Sequence, residues 1–208
     1  MAIKPSRDML TTGLVGSYLL ASAWAIMLLG TIVVLLGGVN KLDANLGMAF
    51  GGFAVVAGLL WIGGAICEAV GWAGLGRLYP GLPSWIGWLE GSLPILTLIM
   101  VVVMITVLDF VEAGAHFLFA LQVLHFLTAG LWMTTHGPRG LTTPGAVGYA
   151  LALAGGVTLY ALAMTHTDIE TLALVLLVMF LAGGMVAHLA TGILFARSRA
   201  LADSVNTF

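Results

Sequence analysis

Residues 68–90 read EAVGWAGLGRLYPGLPSWIGWLE and contain two apolar segments joined by a short turn. Pro80 and Pro83 interrupt helical structure and predict that turn. Each apolar segment carries one carboxylate, Glu68 before the turn and Glu90 after it. The stretch therefore predicts a helical hairpin with one acidic residue in each arm, and the rest of the chain extends the same pattern.

The composition places this chain in a membrane. Of its 208 residues, 61% are hydrophobic and 8% are charged, whereas a soluble domain carries about 25% charged residues. Apolar runs recur that are long enough to cross ~30 Å of hydrocarbon. We therefore predict a single transmembrane domain, residues 1–208, of the all-α polytopic class. The one cysteine, Cys67, excludes an intramolecular disulfide, and no basic patch suggests nucleic-acid binding.

Six apolar segments predict a bundle of six transmembrane helices. Their approximate bounds are 13–37, 46–75, 84–108, 115–135, 145–165 and 171–196. With both termini in the cytoplasm, six of the seven Lys and Arg residues lie inside and Lys41 lies outside. The positive-inside rule favours this distribution. We therefore expect an integral protein of a prokaryotic plasma membrane with cytoplasmic N- and C-termini.

The two carboxylates of the hairpin are the first candidate site. We expect Glu68 and Glu90 to lie about 8–10 Å inside the cytoplasmic ends of their helices, at about 1.5 Å per residue. The short connecting loop makes their helices neighbours. Because an ionised carboxylate in hydrocarbon is costly, such residues hold a proton, bind a cation, or reach the headgroups or a neighbouring backbone. The sequence leaves these alternatives open.

Two histidines lie at similar depth in two other helices. His125 is near the middle of the fourth span, and His188 lies in the cytoplasmic half of the sixth. Histidines inside a membrane take part in proton relays, contact substrates, or pack against a neighbouring helix. Equal depth on two helices is also what bis-histidine ligation of haem b requires. We assign both histidines to a transport path, with haem ligation as the alternative.

A second group of ionisable residues is predicted at the outer surface. Asp109, Glu112 and His116 are spaced three and four residues apart, so they share one face if they are helical. We interpret them as an acidic outer rim. Carboxylates and imidazoles are also suitable metal ligands, and the identity of any metal stays open.

One short segment resembles a known family. Residues Leu124–Met133, LHFLTAGLWM, resemble a segment of haem–copper oxidase subunit three, over ten residues of the chain. The Trp-His pair expected in that family's last helix is absent from the sixth span. We therefore infer no membership of that family.

Motifs of several enzyme classes are absent from the sequence. It contains no P-loop, no Gly-x-Ser-x-Gly, no His-Glu-x-x-His and no dinucleotide-binding fingerprint. We therefore favour a non-enzymatic role and predict a small channel or transporter for a small solute, a proton or a cation. The glycine-rich helices favour a homo-oligomer. The alternative is a membrane subunit of a respiratory or other redox complex, with haem b bound by the two histidines or with no cofactor.

Overall fold

The computed structural model describes residues 7–37, 44–79, 81–106, 111–136, 142–165 and 170–205. These residues form six helices: α1 (Arg7–Gly37), α2 (Ala44–Leu78), α3 (Leu82–Thr106), α4 (Val111–His136), α5 (Thr142–Met164) and α6 (Glu170–Val205). Strands are absent from the described part of the chain. The prediction of an all-α protein is confirmed.

Five of the described helices are long and apolar enough to cross a membrane. The segments are Arg7–Val33, Gly51–Leu78, His116–His136, Thr143–Met164 and Leu172–Ala200. The remaining helix, α3, is not among these five segments, and it contains Glu90, two tryptophans and an internal proline, Pro94. A multi-pass integral membrane protein is therefore indicated, whereas the sixth span, the orientation and the prokaryotic origin remain predictions.

Several helices extend past the ends expected from composition. α2 continues to Leu78 rather than Leu75, and α6 continues to Val205 rather than Ala196. Polar residues such as Arg77 do not stop a helix, because their side chains reach the water interface while the backbone stays helical. The apolar segment therefore marks the part of the helix that is expected in the hydrocarbon, and the helix itself is longer than that segment.

The turn between α2 and α3 is tight and places the two carboxylates at similar depth. Gly81 adopts a left-handed φ of 118°, which glycine reaches without strain, and its carbonyl accepts a hydrogen bond from Ser84 N at 3.1 Å. With α2 ending at Leu78 and α3 beginning at Leu82, the two carboxylates lie about 15 Å and 12 Å from the turn, at about 1.5 Å per residue. They are deeper than the expected 8–10 Å.

The six helices form a closed ring in chain order. Each helix packs against the next one, and α6 closes the ring against α1. Small residues allow the closest approaches: a Cβ on Gly13 of α1 would overlap the Cα of Gly71 in α2. Such contacts between small residues are how membrane helices pack closely. The outer faces carry exposed apolar side chains such as Leu59 and Val102, so the buried polar residues point into the ring.

Candidate functional site

Four ionisable side chains from four different helices meet inside the ring. Glu68 comes from α2, Glu90 from α3, His125 from α4 and His188 from α6. Each of these residues is at most 2% exposed. We call these four residues the core centre. Its members are the four side chains that the sequence assigns to a transport path, and the structure brings all of them together.

One half of the core centre is a fully hydrogen-bonded pair. His188 Nδ1 lies 3.0 Å from Glu68 Oε2 and 3.2 Å from Oε1. The indole Nε1 of Trp72, one helical turn further along α2, donates a hydrogen bond to Glu68 Oε1 at 3.2 Å. The Glu68 carboxylate thus accepts from two buried donors, which offsets the cost of removing its charge from water.

The other half of the core centre is paired by charge but not by directed hydrogen bonds. His125 Nε2 lies 2.6 Å from Glu90 Oε2, yet the direction of approach does not form a hydrogen bond. Glu90 Oε2 and both ring nitrogens of His125 are buried atoms without a hydrogen-bond partner among the described residues. A buried nitrogen without a partner, such as His125 Nδ1, costs about 1–3 kcal/mol. The two halves therefore differ: Glu68 accepts from two hydrogen-bond donors, whereas Glu90 has the close ion pair with His125 Nε2 and His125 Nδ1 has no hydrogen-bond partner in the described part of the chain.

The two halves form one centre and not two separate pairs. The imidazole rings of His125 and His188 are nearly parallel, at 10°, with centroids 6.4 Å apart. One ligand atom from each of Glu68, Glu90 and His125 lies within 4.8 Å of the other two. A cation placed between these side chains would therefore be near two carboxylates and an imidazole at once.

The close packing of α1 against α2 fixes the backbone that carries Glu68. A Cβ on Gly16 would overlap the backbone nitrogen of Glu68 and lie 2.7 Å from the carbonyl oxygen of Gly64. Only glycine fits at Gly16 without moving α1 or α2. The position of the carboxylate thus depends on a residue with no side chain of its own.

Aromatic side chains lie on both sides of the core centre. On the side predicted to face outward, the Trp24 indole lies 6.3 Å from the His188 ring at an interplanar angle of 21°, and packs edge-on against Phe180 at 4.9 Å. On the side predicted to face the cytoplasm, Trp72 packs edge-on against Trp132 at 5.7 Å and Phe195 at 5.4 Å. We call this second group, Trp72, Trp132 and Phe195, the aromatic seal.

A cavity of about 350 Å³ lies on the Trp24 side of the core centre. Its walls come from α1, α2, α4 and α6, and they include Trp24, Trp61 and Gln122. Gln122 is three residues before His125, so the cavity begins about one helical turn from that histidine. This cavity therefore provides space on the Trp24 side of the core centre. The aromatic seal lies on the opposite side, where a second cavity of about 580 Å³ is lined by residues of α1, α2 and α3 that include Arg77 and Ser84.

The predicted outer rim is described only at one position. His116 contacts the hydroxyl of Tyr160 through Nδ1, and Tyr160 stacks on Phe119 with centroids 4.1 Å apart. Asp109 lies outside the described residues, and the side chain of Glu112 is not among those described. His116 thus joins α4 to α5, and the rim as a unit stays a prediction.

Three residues of the site were not singled out from the sequence. Trp72 could have been, because it lies four residues after Glu68 and a residue at that spacing shares its helix face. Gly16 and Trp24 carry no such signal, since their roles depend on how α1 packs against α2 and α6.

Comparison with known proteins gives no relative from which a role could be transferred. The chain matches no protein-family model, no curated protein and no solved structure. The function is therefore inferred from the core centre itself.

Proposed function

We propose that this protein is a membrane transporter for a small cation, and that the core centre is its binding site. The observation that carries the proposal is the meeting of two carboxylates and two imidazoles, all buried, in the middle of a ring of apolar helices. Ionisable residues are expensive inside a membrane protein, and where they occur they commonly mark ion or proton pathways. In addition, His125 Nδ1 is buried without a hydrogen-bond partner among the described residues, which a purely structural role does not explain.

The arrangement of space around the core centre supports a transporter rather than a permanently open channel. The Trp24-side cavity lies on one side of the site and the tightly packed aromatic seal lies on the other, while a separate cavity of about 580 Å³ lies beside the turn between α2 and α3. An open channel needs a continuous path, whereas a transporter exposes its site to one side at a time. Movement of the aromatic side chains would be required before an ion could leave in the second direction.

The test is ion flux in liposomes that contain the purified protein. We expect wild-type protein to carry protons or metal cations faster than empty liposomes, measured with internal dyes for pH and for divalent ions. Glu90→Gln keeps the shape of the side chain and removes its charge, so it should reduce the flux at least about tenfold, a loss typical of disturbed ion ligands.

Asp8→Asn is the matched control, because Asp8 is an exposed acidic residue near the start of α1. The same charge is lost there, and the flux should not change. Wild-type flux equal to that of empty liposomes for every cation would show the proposal to be wrong.

The alternative of a redox-complex subunit with haem b also stays a prediction. His125 and His188 have nearly parallel rings, but one nitrogen of each already lies against a carboxylate. Ligation of an iron would require the other nitrogen of each ring or a rearrangement of both pairs. An absorption spectrum between 350 and 600 nm, before and after dithionite, decides this point, since bound haem gives a Soret band.

We also propose that the chain self-associates through its glycine-rich faces. Small residues on lipid-facing surfaces favour helix association, and Gly51 and Gly52 of α2 are exposed, with open space around them. Native mass spectrometry of the detergent-solubilised protein would give the number of chains per particle.

A further inference from the structure

We propose that the core centre binds one divalent transition-metal ion, with Glu68, Glu90 and His125 as its protein ligands. The binding itself follows from the geometry of these side chains. The statement that the metal is the transported cation rests on the proposed function.

The spacing of the three side chains suits an ion. Their ligand atoms lie within 4.8 Å of one another. Carboxylate and imidazole ligands bind at about 2.0–2.2 Å, so two ligands of one ion lie roughly 3.3–4.4 Å apart. Small side-chain rotations, with no movement of the helices, would bring the three ligands onto one ion.

The Glu90–His125 half of the core centre supplies the second, independent indication. Glu90 Oε2 and His125 Nε2 form a buried ion pair at 2.6 Å, whereas His125 Nδ1 is fully buried and has no hydrogen-bond partner among the described residues. Buried polar atoms are normally satisfied, so an exception of this kind points to a group that is not protein. A metal ion bound to Glu90 and His125 would engage a carboxylate oxygen and an imidazole nitrogen together.

The charge of the core centre selects a divalent ion. Glu68 and Glu90 supply two negative charges when both are ionised, and the imidazoles of His125 and His188 add none when both are neutral. A divalent cation makes the site neutral, whereas a monovalent ion would leave one uncompensated charge in a region from which water is excluded. Uncompensated charge is the most costly state in such surroundings.

The donor atoms select the class of metal. Two carboxylates with one imidazole suit Zn²⁺, Mn²⁺, Fe²⁺ or Co²⁺, whereas Cu⁺ prefers sulfur ligands. Among the described residues that meet here the ligand group contains no thiol. His188 and Trp72 hold the Glu68 carboxylate through its hydrogen bonds, which is the usual way in which a protein orients a metal ligand.

The experiment is a titration of the detergent-purified protein with Co²⁺, which reports its coordination through visible absorption bands. We expect saturation at one Co²⁺ per chain. Glu90→Gln and His125→Gln should each weaken binding by at least about 10–100-fold, the range seen when metal-site partners are removed. Asp8→Asn and His136→Gln are matched controls, since both residues are exposed, and they should bind as the wild type does.

A measurement on wild-type protein protects the test against variants that fail to fold. X-ray absorption at the cobalt edge should show only oxygen and nitrogen neighbours, with the outer-shell scattering of an imidazole. Absence of saturable binding, a spectrum without imidazole, or unchanged affinity in folded Glu90→Gln would overturn the inference.

The metal inference and the transport proposal fail in different ways. Co²⁺ binding without flux of any cation in liposomes would overturn the transport proposal and keep the metal site. Proton flux that depends on Glu90, in a protein that does not bind Co²⁺, would overturn the metal site and keep the transport proposal.

Discussion

The two carboxylates of the core centre should respond differently to replacement by leucine. In Glu68→Leu, Trp72 Nε1 and His188 Nδ1 both lose their buried acceptor. Each orphaned group costs about 1–3 kcal/mol, so the free energy of unfolding should fall by roughly 2–6 kcal/mol. In Glu90→Leu only one group, His125 Nε2, loses its partner, which lies 2.6 Å away, so the free energy of unfolding should fall by about 1–3 kcal/mol.

The assay is thermal unfolding of wild type and both variants in the same detergent, followed by intrinsic fluorescence and by retention on gel filtration. Trp72→Phe is the internal comparison: it removes the indole donor and part of a fully buried ring, so it should cost more than about 0.5–1.5 kcal/mol, the contribution of the hydrogen bond alone. Equal losses of stability in the two leucine variants would refute the reasoning, because the two carboxylates would then be structural to the same degree. A smaller loss in Glu90→Leu than in Glu68→Leu would agree with the number of buried groups that each change leaves without a partner.

Three further predictions follow from the same contacts. In Gly184→Ala the new Cβ would lie 2.6 Å from the Trp24 indole, so the ring should move, tryptophan fluorescence should shift and flux should fall. Gly63 has open space around it, so the control Gly63→Ala should match wild type. Unchanged fluorescence and flux in Gly184→Ala would contradict the packing. Trp132→Ala should open the aromatic seal and raise the passive proton leak of liposomes severalfold, whereas Trp132→Phe should not; equal leaks would show that the seal is not a barrier. Co²⁺ affinity should fall as the pH is lowered from 7 towards 5, because protons compete for carboxylate and imidazole ligands, and a pH-independent affinity would exclude these residues as ligands.

Much of the fold was predictable, because long apolar runs specify helices wherever lipid is the solvent. The convergence of Glu68 and Glu90 was predictable for a local reason, since the short connection that includes Gly81 makes α2 and α3 neighbours. The assignment of each carboxylate to its histidine was not. That assignment depends on the order of helices around the ring and on the rotation of each helix about its axis.

The rotation could not be predicted because these helices are apolar on nearly all faces. In a soluble helix the polar face shows which side is exposed and the apolar face which side is buried. In a membrane, the same apolar residue suits lipid and core: Leu59 is exposed on the outer face, and Leu20 is buried. The rare polar residue is then the best indicator of the inward face, and here Glu68, Glu90, His125 and His188 were such indicators. The depth of Glu68 was underestimated because the predicted span ended at residue 75, whereas α2 continues through Arg77 to Leu78.

The glycine contact between α1 and α2 divides the ring into parts of unequal stiffness. Backbones touch where Gly16 meets Glu68, and α1 also packs extensively against α6, so α1, α2 and α6 cannot slide past one another without collision. The contacts of α3 with α4 are sparser. The Glu68–His188 pair therefore lies on the closely packed helices α2 and α6, and the Glu90–His125 pair lies on α3 and α4. A movement of α3 and α4 relative to the other helices would change the gap between the two pairs while each pair stays intact. A ligand bound by both pairs would hold the two groups of helices together.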